Sequence, residues 1–164
     1  MVLGDSVKRV VILVVLAVGA VLTGCGSPEE RAETHYERGV KLLEDNQSVK
    51  AALEFKNAVK LKKDMVKAWI ALSKIEEENQ NWKGLAAILR TIVDLDPKNV
   101  DARLRYARLL LLGNALDDAL KAADAAVEQG GQRARALALR AAILLKLNDV
   151  KGAVEAANAA LGIE

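Results

Sequence analysis

Few side chains in this chain stand out as able to do chemistry: a single cysteine, Cys25, a single histidine, His35, and three consecutive glutamates, Glu76–Glu78. A lone histidine supplies neither a pair of metal ligands nor a partner set for a nucleophile, so we expect His35 at the surface or in packing. Consecutive helical residues point in different directions, which predicts a solvated face for the glutamates rather than a cation site. We therefore expect no enzyme activity, and modification of Cys25 is the chemistry to consider.

Cys25 follows a segment that has the parts of a secretory signal peptide. Lys8 and Arg9 precede an unbroken apolar run from Val10 to Leu22, and small residues lie just before Cys25. A transmembrane helix needs about 20 apolar residues, which is more than this run provides. Asp5 departs from the usual purely basic start. An uncleaved anchor and an ordinary signal peptide stay open.

The stretch Leu22-Thr23-Gly24-Cys25 resembles the lipobox of bacterial lipoproteins. This resemblance implies that residues 1–24 are a signal peptide, that Cys25 carries lipid such as palmitate, and that residues 25–31 form a short tether. Gly26, rather than Asp, follows the cysteine, as in lipoproteins sorted to the outer membrane of diderm bacteria. The implied location is the cell envelope, with the protein facing the periplasm.

The composition of the chain predicts one all-helical domain without affinity for nucleic acid. Removal of residues 1–24 takes away two basic and one acidic residue, which leaves 22 basic and 21 acidic side chains. Nucleic-acid binding usually requires a strongly basic face, and this balance offers none. Ala and Leu carry the hydrophobic share and are strong helix formers.

The remaining chain repeats itself with a period of 34 residues. Small, amide-bearing and apolar positions each recur in register: Gly39, Ser73, Ala107 and Ala141; Asn46, Gln80, Asn114 and Asn148; Ala51, Leu85, Ala119 and Ala153; Phe55, Leu89, Ala123 and Ala157; Ala58, Ile92, Ala126 and Ala160. We expect the small residues to permit close helix packing and the amides to satisfy free backbone groups in turns.

These columns, with Trp69, Leu72 and the Asp96-Pro97 stop, identify residues 32–164 as similar to the tetratricopeptide repeat (TPR), a helix–turn–helix unit. The resemblance implies an all-α solenoid with four repeats at 32–65, 66–99, 100–133 and 134–164. The second helices of the last two repeats, 116–128 and 150–162, are rich in Ala, and no polar capping helix follows Leu161. Self-association through this end is one interpretation.

In TPR proteins the first helix of each pair lines a concave groove that binds protein partners. The repeat positions predict that an apolar floor and a basic patch in this groove bind an extended or helical peptide bearing apolar anchors and some acid. The residues that we expect to contact such a peptide are Tyr36, Val40, Ile70, Lys74, Leu104, Arg105, Arg108 and Leu111.

Together these features predict a membrane-anchored TPR scaffold that binds a protein partner in envelope assembly or export. The run Glu54–Val59 is similar to the TPR lipoprotein family linked to exopolysaccharide and PEP-CTERM protein export. TPR lipoproteins of pilus assembly and of outer-membrane protein insertion are rivals in the same class. Two alternatives remain: a docking regulator of peptidoglycan enzymes, or a structural module that associates with itself.

Overall fold

The computed structural model describes residues 26–162, so that Cys25 and the preceding segment lie outside the described residues. The described part contains eight α-helices and no strand. In chain order these are α1 Pro28–Glu44, α2 Ser48–Leu61, α3 Val66–Glu78, α4 Trp82–Leu95, α5 Val100–Leu112, α6 Leu116–Gln129, α7 Arg133–Lys146 and α8 Val150–Leu161. Within this range, no helix combines the length and the apolar character that a membrane crossing requires.

The helices form four consecutive pairs, as the 34-residue period predicted. Each helix packs on the one before it and the one after it, and α5 also packs directly on α7. The second helices α2, α4, α6 and α8 begin at Ser48, Trp82, Leu116 and Val150, which are 34 residues apart. Because one pair cannot bury its apolar stripe alone, the stacked pairs share the core. The prediction of an all-α TPR solenoid is confirmed.

The first helix begins earlier than the repeat pattern predicted. Ser27 caps α1: its hydroxyl accepts a hydrogen bond from the backbone N–H of Glu30 (3.1 Å), and the Glu30 carboxylate accepts one from the N–H of Ser27 (2.8 Å). Pro28 occupies the first turn, where its missing N–H costs nothing. Residues 28–31, expected to be part of a short tether, are therefore helical, and only Gly26 and Ser27 separate Cys25 from α1.

The recurring amide positions have a different role from the expected one. Asn46, Gln80, Asn114 and Asn148 all have positive φ angles, between 56° and 63°. In the first repeat, for example, the N–H of Asn46 donates to the carbonyl of Leu43 (2.9 Å), and the N–H of Gln47 donates to the carbonyl of Leu42 (2.7 Å). The same two bonds close all four first helices, and this is the Schellman motif with its left-handed residue. The amide column therefore reflects backbone conformation, and not the capping by side chains that we expected.

Gln80 is the least suited of these residues to a left-handed conformation, which Asn tolerates better than Gln and which Gly adopts without strain. We expect Gln80→Gly to raise the free energy of unfolding by about 0.5–1 kcal/mol and Gln80→Val to lower it by about 1–2 kcal/mol. Urea unfolding followed by circular dichroism measures both. The adjacent Asn79 has φ −78°, so the control Asn79→Gly should only destabilise; equal behaviour at both positions would contradict this explanation.

Candidate functional site

The first helices α1, α3, α5 and α7 lie side by side and share one surface, which we call the first-helix surface. Ion pairs connect them: Lys67 of α3 pairs with Glu33 of α1, and Arg135 of α7 pairs with Asp101 of α5 (3.8 Å). These four residues occupy the same repeat position, and their charge alternates along the solenoid. This row was not predicted, although the 34-residue register contains the signal.

A groove of ≈ 600 Å³ lies along α1, in the N-terminal part of the first-helix surface. Tyr36 and Val40, both predicted partner-binding residues, lie half-buried in it. The Lys67 ammonium lies 4.3 Å from the centroid of the Tyr36 ring, within the range of a cation–π contact. The charged groups of the lining are three carboxylates, those of Glu33, Glu37 and Glu44, and the ammonium group of Lys41, so that the groove is acidic on balance.

Arg105 does not belong to a free basic patch. Its guanidinium donates to the Glu77 carboxylate (2.8 Å) and to the Ser73 hydroxyl (3.3 Å), and its side chain is only 20% exposed. Ser73 is fully buried and donates in turn to the Ile70 carbonyl (2.8 Å). Arg105 therefore connects α5 to α3, and its charge is compensated by Glu77; its contact with an acidic partner stays a prediction.

Lys74 and Arg108 remain as the basic part of the first-helix surface on α3 and α5. They occupy the same repeat position on α3 and α5, and both are exposed. Neither makes an ion pair with any residue in the range 26–162. Their charges are thus available to a partner, and the surface changes from acidic at α1 to basic at α3 and α5.

Of the three predicted apolar contacts on α3 and α5, the structure excludes one. Ile70 and Leu111 are half-buried, whereas Leu104 is only 2% exposed and packs in the core with Ala126 and Ala136. The small side chains of these alanines let α6 and α7 close over Leu104, and α5 contacts α7 directly. The prediction that Leu104 contacts a partner is wrong for this reason.

The remaining candidates for chemistry have structural partners. The Nδ1 atom of His35 lies 2.6 Å from the Glu54 carboxylate, a contact that joins α1 to α2. Glu76 accepts from the Asn81 side chain (2.6 Å), while its neighbour Glu77 pairs with Arg105. The glutamates thus point in different directions, as expected.

Comparisons with known proteins give the fold of the chain. The model of the tetratricopeptide repeat family matches residues 86–143. A solved structure of MamA has a TM-score of 0.69 at 16% identity and covers 99% of this chain and 95% of its own; a MamA double mutant has 0.69 at 16%, covering 82% and 75%. PilF of Pseudomonas aeruginosa has 0.64 at 16%, covering 85% and 64%. No curated protein matches the sequence.

Proposed function

We propose that this chain, a tetratricopeptide-repeat protein, is a membrane-anchored scaffold that binds a protein or peptide partner in the cell envelope and has no catalytic role of its own. The observation that carries this proposal is the first-helix surface, whose four helices are joined in order by ion pairs. It combines half-buried apolar side chains with unpaired cations at Lys74 and Arg108. Repeat solenoids generally use such extended surfaces for binding.

The partner that fits this surface is an extended or helical segment with apolar anchors. Its acidic residues would lie against Lys74 and Arg108, and its basic residues against the carboxylates around Tyr36. Complementary charges of this kind select the direction of a bound peptide and increase the rate of its association.

The anchor is the lipid on Cys25, supported by the lipobox and by the position of α1. A fully extended residue spans at most about 3.5 Å, so Gly26 and Ser27 hold the first repeat within roughly 10 Å of the anchored cysteine. A scaffold tethered this closely would present its partner at the membrane. We place it at the outer membrane, facing the periplasm.

The process served is assembly or export at the envelope: exopolysaccharide export, pilus assembly or outer-membrane protein insertion. The structural similarity to PilF and MamA supports the solenoid fold, and it does not distinguish among these three processes. Docking of peptidoglycan enzymes is the alternative, and the identity of crosslinked partners in envelope membranes separates these cases.

A second candidate function is self-association through the face of the last repeat. Leu161 occupies the repeat position of Val59, yet Leu161 is 70% exposed and Val59 only 7%. Two apolar hollows of ≈ 400 Å³ and ≈ 280 Å³ lie on the same helices, α7 and α8. Sedimentation velocity over a series of protein concentrations distinguishes a self-associating module from a monomeric scaffold.

Reversal of both free charges, Lys74→Glu with Arg108→Glu, should lower recovery of the crosslinked partner by about tenfold, since each reversal replaces attraction with repulsion. Helicity should not change, because neither side chain has an ion-pair partner in residues 26–162. Lys50→Glu with Lys98→Glu makes the same charge change at exposed sites outside the first helices and serves as the control. Equal recovery with both double variants would refute a binding role for this basic patch.

A further inference from the structure

A second groove lies on the other side of the solenoid, between the second helices α2 and α4. Its volume is ≈ 630 Å³, and nearly all of its surface is apolar. Trp69 of α3 contributes to the lining, Ile88 and Leu95 of α4 form one wall, and Lys56 and Lys60 lie on the α2 side. We call it the second-helix groove.

The repeat register shows that this groove lacks a hydrogen bond that the next repeat has at the equivalent place. Between α4 and α6, the Gln129 side chain donates to the Pro97 carbonyl, and the Arg103 guanidinium donates to the same oxygen (2.8 Å). The corresponding residues of the first two repeats are Leu95, Lys63 and Trp69. The indole of Trp69 keeps the equivalent bond to the Lys63 carbonyl (2.8 Å). Leu95 has no hydrogen-bond donor, so α4 makes no side-chain bond to the Lys63 carbonyl. The apolar side chain of Leu95 lines the groove instead.

A second cross-connection is also missing here. Between the last two repeats, the Arg140 guanidinium donates to the Asp124 carboxylate at 2.6 Å. The residues at the same positions in the first two repeats are Leu72 and Lys56. The groove therefore has an apolar side chain and a free cation where the later repeats have an ion pair.

The charge on the rim has one sign. Lys56, Lys60 and Lys63 line the groove and are exposed, and none of them makes an ion pair with a residue of the described range. Three uncompensated ammonium groups beside an apolar floor match a ligand with apolar anchors and carboxylates along one edge.

We propose that the second-helix groove binds an amphipathic, acidic helix of a partner protein, at a site separate from the first-helix surface. The wall from Gly84 to Leu95 is about 16 Å long at 1.5 Å per residue, which accommodates roughly three helical turns. A flat membrane would contact the lysines but not the apolar floor between the helices. Two binding surfaces allow the scaffold to hold two different proteins together, which extends the proposed function.

The test uses a fluorescent amphipathic peptide of about 14 residues with leucines every third or fourth residue and glutamates beside them, together with a version in which lysines replace the glutamates. Fluorescence polarisation should show that the native protein prefers the glutamate peptide. The variant Lys56→Glu, Lys60→Glu, Lys63→Glu should bind that peptide about tenfold more weakly or worse. The control Lys41→Glu, Lys98→Glu, Lys146→Glu has the same net charge and should bind like the native protein.

A second variant tests the apolar wall of the groove at Leu95 without changing the charge. Leu95→Gln introduces the residue that closes the next repeat, and it should weaken binding of the glutamate peptide several-fold while the urea unfolding midpoint stays unchanged. Lys74→Glu with Arg108→Glu changes only the first-helix surface, so the loss of binding caused by Lys56→Glu, Lys60→Glu, Lys63→Glu should persist in this background; this separates failure of the groove from failure of the first-helix surface.

Three results would overturn the proposal. The first is equal binding of the glutamate and lysine peptides, and the second is equal binding by the groove and control variants. The third is that the protein binds phosphatidylglycerol vesicles through the same three lysines and that Leu95→Gln does not change its binding of the glutamate peptide. This would assign the lysines to a membrane surface instead.

Discussion

Gly39→Ala should lower the free energy of unfolding by about 1–3 kcal/mol, although the same replacement inside an exposed helix stabilises it by up to about 1 kcal/mol. Gly39 is buried in α1, and a Cβ atom added there would lie 2.5 Å from Cε1 and 2.8 Å from Cδ1 of Phe55. Phe55 is fully buried between helices and cannot move aside without disturbing the core. Urea unfolding followed by circular dichroism measures the loss.

The equivalent pairs in other repeats provide the rescue experiment. Where the first repeat combines Gly39 with Phe55, the second combines Ser73 with Leu89, so a larger residue in the first helix faces a smaller one in the second. Gly39→Ala with Phe55→Leu should therefore be more stable than the sum of the single changes predicts, with a coupling of about 0.5–3 kcal/mol. In the control Gly162→Ala, the added Cβ lies 3.5 Å from its nearest neighbour, which is an ordinary van der Waals contact, so this change should cause no steric loss of stability. Additive single changes would contradict the steric explanation.

The fold was accessible from the sequence because the repeat makes the same demand four times. Small residues at the helix crossing and left-handed residues after each first helix must recur at fixed offsets, and Gly39 and Asn46 show both requirements. The Asp96-Pro97 stop predicted the end of α4, which the structure places at Leu95. The physical reason for the amide column needed φ angles, which a residue pattern does not contain.

The site was less accessible, because exposure depends on the neighbour as well as on the residue. Ile70 and Leu104 occupy the same repeat position and are both large and aliphatic, but only Leu104 is closed over by alanines of the adjoining helices. Arg105 is equally ambiguous in sequence, since its pairing with Glu77 depends on how closely α5 approaches α3. Contacts between repeats of this kind lie about 30 residues apart and require the relative placement of the repeats.

The second-helix groove is an intermediate case. Leu95 lines this groove at the repeat position that Gln129 occupies in the next repeat, and this difference is visible once the repeats are aligned. The meaning of that difference requires knowledge that Gln129 donates to the Pro97 carbonyl. A departure from the repeat is therefore informative about function only when the bond made in the other repeats is known.

Cys25→Ser should abolish incorporation of palmitate, and in a chain without the apolar leader it should also move the protein from the membrane to the soluble fraction. The expected loss of membrane attachment is nearly complete because the lipid chains supply the attachment, each buried methylene contributing about 0.8 kcal/mol. Labelling cells with alkyne palmitate, followed by fractionation, measures both effects.

An uncleaved leader could hold the serine variant at the membrane through the run Val10–Leu22, so a second variant separates the two kinds of attachment. In it, the leader of a soluble periplasmic protein replaces residues 1–24 and Cys25→Ser is retained. This protein should be soluble and unlabelled, and its circular dichroism should match the native protein, because Cys25 precedes the first helical residue, Pro28. Palmitate on either serine variant would place the lipid on another residue and refute Cys25 as the anchor. A native chain without label but with intact membrane attachment would instead assign the attachment to the apolar run.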